Sequence, residues 1–175
     1  SALCSGWTSS AVLQSRWGSD YAANMQRLQS LAARTGQAVL LYNGQPAAAC
    51  YHAISSGHTE ASQNVWGGQL PYLCGVDSAW DKFADGYEVT IQYSAEQVRT
   101  ALEELGLTPD DSPESWVGAS TWDKAGYVRT LELCGQMVSG LEVRKALDLR
   151  STCFAIAWRG GQFVITTRGY GHGVG

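Results

Sequence analysis

Two of the three histidines lie in one stretch, YHAISSGHTEASQNVW at residues 51–66, beside a carboxylate among small polar residues; the third lies in the closing GYGHGVG. His58, Thr59 and Glu60 follow Gly57, which lets the backbone bend and leaves room for a ligand. Equally, Thr59 or Ser62 could serve only to cap a turn. His172 stands between Gly171 and Gly173, where main chain can approach a substrate closely; the structural alternative is a glycine-rich hairpin end. Glycoside chemistry needs a carboxylic acid poised to protonate a leaving oxygen, usually made by burying Glu or Asp in a pocket of low polarity. Glu60, Asp77 and Asp81 are the candidates. The last two belong to PYLCGVDSAWD, where Tyr72 and Trp80 could wall a sugar face and where solvated turn aspartates explain the pattern as well.

Other chemistries find less support. No G-x-S-x-G elbow is present. Cys50 and His52 would share a face if both sat on a strand, but the pair is no recognised protease signature, and His52 reads as a structural residue donating to backbone. The five cysteines show no CxxC spacing, and an odd number cannot all pair within one chain. Three histidines and scattered thiols give no zinc spacing, so no metal and no cofactor are expected.

These residues must be positioned by the elements around them. Tyr21, Met25, Leu28 and Ala32 recur at helical spacing and predict a helix from Ser19 to Thr35, capped by Ser19 and ended by Gly36. QAVLLYNGQPAAACYHAIS reads as a hairpin turning at Asn43-Gly44, with Pro46 at an edge and His52 in its second strand. From about Ser55 to Asp81 neither period holds, and a loop this long in a compact domain is usually functional or disordered; Trp66, Tyr72 and Trp80 argue for order. YEVTIQY alternates as a strand, and SAEQVRTALEELGL carries a Ser94…Gln97 capping box with Val98, Leu102 and Leu105 on one face. GYVRTLELCG reads as a strand, SGLEVRKALDL as a short helix, and FAIAWRGGQFVITTRG as a hairpin turning at Gly160-Gly161. The expected fold is α+β, a single domain over 1–175 built mostly of antiparallel hairpins with a few packed helices.

At 175 residues the chain is of single-domain size. With 45% hydrophobic and only 16% charged residues, it is not a disordered sequence, and its surface must be as much Ser, Thr, Asn and Gly as ions. A net charge of -4 and a pI near 5.3 argue against nucleic acid as a partner, since no basic block is present to collect phosphates. Seven Trp, eight Tyr and polar uncharged loops suit a neutral, hydroxyl-rich ligand with apolar faces, which describes carbohydrate. No apolar run is long enough to span a bilayer. The opening SA before an apolar segment and the closing GHGVG predict a piece of a longer protein.

Together the motifs resemble the family of stage II sporulation protein D, which also includes the LytB amidase enhancers. VLLYNGQPAAACYHAISSGHTEASQNVWG is similar to the family's hairpin and its Ser-Gly-Gly-x-Thr-Glu loop, and PYLCGVDSAWD to its Pro-Tyr-Leu…Asp segment. SGLEVRKALDLRSTCFAI and RGYGHGVG follow in family order. The resemblance implies a cell-wall role outside the cytoplasm, at the wall or the forespore septum. There an enzyme of the lytic transglycosylase type cuts peptidoglycan glycan strands, particularly those stripped of stem peptides: one acid protonates the glycosidic oxygen and the sugar's own 6-hydroxyl closes a 1,6-anhydro end. It implies glycan strands and other sporulation cell-wall hydrolases as partners, with membrane contact only through segments that this sequence lacks. By position, Tyr72, Asp81 and Glu60 match catalytic-site residues, and His58, His172, Trp80 and Gly171 would bind substrate.

The family's catalytic glutamate, in a Glu-Met-Pro segment followed by an Ala-Ala-Arg-Thr-Tyr helix, has no counterpart here; LAARTGQ, with Arg34, aligns with the later helix. Cys4 matches the first thiol of a Cys/His cluster found upstream of this helix in some relatives, but no histidine or second cysteine follows it before Cys50. The rival expectation is a non-catalytic peptidoglycan-binding or amidase-stimulating module.

Overall fold

In the computed structural model, which describes residues 8–36 and 38–175, the chain divides into two units, Ser1–Ala48 and Ala49–Gly175. Cys4 lies outside the described residues.

The first unit carries α1 (Ser10–Trp17) and α2 (Tyr21–Thr35), joined by a 3-10 turn over Gly18–Asp20. The cap falls one helix earlier than the sequence reading put it. Ser9 accepts from the Val12 amide at the head of α1, while Ser19 lies inside the 3-10 turn and α2 starts behind Asp20 with no side-chain cap. The turn at Asn43-Gly44 is present, both residues having positive φ of 49° and 75° as a tight hairpin requires. Its strands are only β1 (Leu41–Tyr42) and β2 (Gln45–Pro46). His52 therefore lies beyond any strand, because the alanines after Pro46 have low strand preference. The same-face argument for Cys50 and His52 falls with it.

The second unit is α+β. Strand β3 (Glu88–Tyr93) pairs antiparallel with β8 (Gln162–Arg168), which pairs in turn with β7 (Cys153–Arg159). A second antiparallel sheet is ordered β4 (Val117–Trp122), β5 (Val128–Leu133), β6 (Gln136–Ser139). Between β2 and β3, residues 62–66 form a single helical turn, α3 (Ser62–Trp66). Helix α4 (Ala95–Glu104) packs on β3 and β8, α5 (Gly140–Ala146) packs on β5 and β6, and the two helices touch each other. The core they enclose includes Val98, Leu102, Trp116, Leu131, Val143, Phe163 and Ile165, all nearly or fully buried. Trp116 stacks on Phe163 with ring centroids 5.7 Å apart.

Both α4 and α5 begin with a full capping box, Ser94 with Gln97 and Ser139 with Glu142, in which side chain and amide are exchanged reciprocally. Because Ser94 satisfies the Gln97 amide, Ser94→Ala is expected to cost about 1 kcal/mol, read as a lowered urea midpoint with an unchanged slope.

Candidate functional site

The motifs singled out in the sequence meet through backbone bonds. Residues 53–60 lie along the closing segment: Ile54 and Tyr170 exchange amides and carbonyls, and the Glu60 amide donates to the Gly173 carbonyl at 2.7 Å. On the other side, the Thr59 amide donates to Val76 at 2.7 Å, Ser62 to Leu73 at 2.9 Å, and His58 bridges Asp77. SSGHTE is thus sandwiched between GYGHGVG and the segment after Tyr72. Gly173, at φ 77°, makes a close passage. A Cβ there would stand 2.3 Å from the Tyr127 hydroxyl, which donates to the His58 carbonyl and accepts from the Ser56 amide.

Glu60 is almost fully buried. Its Oε1 accepts from its neighbour's amide, Ala61, at 2.7 Å and from Asn64 Nδ2 at 2.8 Å, one helical turn on. Its Oε2 accepts from Arg129 at 2.5 Å. The same guanidinium binds Asp123, and it reaches the Asn64 carbonyl at 3.2 Å. Asp123 is fixed by the Ala125 and Tyr127 amides at 2.8 and 3.0 Å. Two carboxylates from remote parts of the chain are thereby held on one arginine of β5. Burial pushes the Glu60 carboxyl above its ordinary value; Asn64 opposes this and Asp123 adds to it.

A pocket of about 120 Å³ opens beside this trio, lined by Glu60, Asn64, Arg129, Arg144, Thr152 and His172 among others. His172 packs edge-on against Trp66 of α3 at 5.0 Å, and its Nδ1 accepts from the Val174 amide at 3.1 Å. Burial, with His52 and Arg144 nearby, pulls its imidazole below the usual histidine value. His52 donates from Nδ1 to the Val174 carbonyl at 3.2 Å and points Nε2 toward Asp81 at 3.9 Å. The two histidines thus hold one residue of the closing segment, Val174, His172 by its amide and His52 by its carbonyl.

Asp81 accepts from the Ser55 amide at 2.8 Å. Partial burial works to raise its carboxyl, but bonds from the hydroxyl and amide of Ser55 and from Ser78, together with His52, hold it below the usual value.

Glu60 and His172 therefore line one pocket, and Asp81 connects to it through His52. His58 donates from Nδ1 to the Thr59 carbonyl at 2.8 Å, and neither His58 nor Tyr72 lines that pocket. Trp80 is 84% exposed and tilts against Phe83 on a 3-10 turn. Gly171, at φ 110°, admits the close approach of His52, whose Cβ lies 3.2 Å from where its own would stand. Arg129, Asp123, Asn64 and Arg144 were not among the residues read from the sequence. The signal for Arg129 was a lone cation in the apolar strand GYVRTLEL, and that for Asn64 was its place four residues after Glu60. The described cysteines are free thiols, and burial pushes Cys153 up to about 11.

Comparison with known proteins adds relatives. Stage II sporulation protein D of Bacillus subtilis (strain 168) is 34% identical over 170 residues, 97% of this chain and 48% of that protein. Stage II sporulation protein D of Bacillus amyloliquefaciens is 35% identical over 170 residues, with the same coverage. The amidase enhancer of Bacillus subtilis is 36% identical over 83 residues, 47% of this chain and 11% of that protein. The chain spans about half the length of the stage II sporulation proteins it matches. No family model matches it.

Proposed function

We propose, for a chain that belongs to the family of stage II sporulation protein D and the amidase enhancers, that residues 49–175 bind peptidoglycan glycan strands in a sporulation-linked, extracytoplasmic cell-wall role. The observation that carries this reading is the pocket itself: SSGHTE and GYGHGVG, far apart in sequence, are bonded together so that Glu60 and His172 face one cavity. Its lining combines hydrogen-bonding groups with the short apolar walls of Val65, Val128 and Leu141, a mixture that suits the hydroxyls, acetamido groups and apolar faces of sugars. Glycan-strand cleavage of the lytic transglycosylase type is the activity proposed for the whole protein, alongside other wall hydrolases.

Within this sequence the acid for such cleavage is not evident. Glu60 has the burial an acid needs but is tied to Arg129, Asn64 and its neighbour's amide, which leaves neither oxygen aimed into the pocket as a free donor. Proton donation contributes about 10²- to 10⁴-fold, so this chain is expected to bind purified glycan while releasing little or no anhydro-sugar product. Mass spectrometry of the digest, paired with co-sedimentation of the glycan, separates the cases. Brisk release of 1,6-anhydro ends would make Glu60 the acid, and failure to co-sediment would remove the glycan reading. Binding without release is also what a non-catalytic or amidase-enhancing module would give, a second reading favoured by the amidase enhancer among the relatives.

A further inference from the structure

The pocket beside Glu60 contains two arginines in different electrostatic states. Arg129 is bracketed by two carboxylates. Arg144, in the last turn of α5, donates from Nε to the Leu149 carbonyl at 3.1 Å and from one Nη to the Arg150 carbonyl at 3.0 Å. Those bonds hold its guanidinium against the pocket wall, yet among the described residues no carboxylate lies within ion-pair distance of it. Burial pulls its guanidinium below the ordinary arginine value, with Tyr170 and Asp148 acting more weakly in the other direction. A partly buried cation without a counter-ion is unfavourable unless something supplies one. The neighbours are suited to the rest of such a ligand. Val65 and Leu141 give short apolar walls, and Thr152 and His172 give polar ones. At about 30 Å³ per water in the liquid, the cavity of about 120 Å³ takes about four small groups, enough for a carboxylate on a short branched stem and too little for a whole disaccharide.

We infer that this pocket is a carboxylate subsite, in which Arg144 pairs with a free acid carried by the glycan while the sugar ring lies outside. The inference rests on the glycan reading above. In peptidoglycan the acid has two sources, the ether-linked carboxyl of the muramic residue when no peptide is attached, or a carboxyl of the stem peptide. A free acid fits the short pocket with fewer atoms, and Arg144 offers the planar fork that pairs with it.

The test is calorimetric titration with short muramic-acid-containing glycans of three kinds: the muramic carboxyl free, the same carboxyl as its uncharged methyl amide, and the carboxyl joined to a stem peptide. The free acid should bind about tenfold tighter than the methyl amide, the size of one charge-assisted hydrogen bond. Arg144→Gln should erase that difference between the two ligands. If the peptide-bearing glycan binds as tightly as the free acid and loses that advantage in the variant, the subsite stands with the peptide as its source. Equal affinity for free acid and methyl amide in the unmodified chain overturns the subsite and leaves glycan binding intact, whereas no binding of any glycan overturns both. Because Arg144 also holds two carbonyls, the variant could unfold; the acid-versus-amide comparison on the unmodified chain, repeated at higher salt, then decides by itself.

Discussion

Replacing Arg129 by Met is expected to lower stability by about 3 kcal/mol at neutral pH. The methionine fills much of the volume but leaves Glu60, whose side chain is 4% exposed, and Asp123, at 16%, facing each other without the cation that both bind. Breaking a buried pair from one side costs more than the pair contributes, because the remaining charge has lost water and partner together. The pH dependence identifies the cause. Glu60 already has its folded value raised above the ordinary carboxyl value, so its contribution is fully present below the unfolded value and is lost as pH rises through the folded one. Removing the guanidinium raises the folded value further. Much of the deficit should therefore return on acidification toward the ordinary carboxyl range, and chemical denaturation at neutral and mildly acidic pH should show the variant approaching the parent. Asp81 runs the other way: its lowered value contributes stability above the unfolded value and loses it as pH falls through the folded one. A variant deficit that is the same at both pH values would mean that packing, and not charge, made the loss.

Trp116→Ala should cost about 3–5 kcal/mol. Trp116 is 1% exposed, stacks on Phe163 of β8, donates from Nε1 to Asp110 at 2.9 Å and carries the Arg99 guanidinium 4.9 Å above its ring. It precedes β4 and spans from the β4–β5–β6 side to the other sheet, so its removal opens a cavity between the layers. Thermal unfolding would record the loss as a fall in Tm at unchanged cooperativity. Since Arg129 lies on β5 of the same layer, loosening there should also weaken any ligand held in the pocket. A drop in stability under 1 kcal/mol would show that the core refills around the hole.

What was legible in the sequence follows from how local each signal is. Helix α4 announces itself through a capping box and an apolar stripe within fourteen residues, and the β7–β8 hairpin through two apolar runs and a Gly-Gly turn. Strand β4 has no such signal: VGASTW is half-exposed, and its pairing with β5 carries register shifts. Helix α3 is one turn long, too short for a period to register. The site divides in the same way. Glu60 and His172 stood out by residue type beside glycines. The partner that defines Glu60, Arg129, lies 69 residues away, and no local pattern encodes a pairing at that distance. His52 was placed in a strand that ends at Pro46, yet its structural role, donating to backbone, is what the histidine type suggested.

The central claim, that the pocket between Glu60 and His172 receives cell-wall glycan, is tested most directly by amide NMR of the isotopically labelled chain titrated with peptidoglycan glycan oligomers. The account predicts saturable shifts centred on Glu60, Asn64, Arg129, Arg144 and His172. It is contradicted if saturating glycan leaves those amides unmoved, or moves only residues around the separate cavity lined by Thr108, Asp110, Ser115 and Cys134.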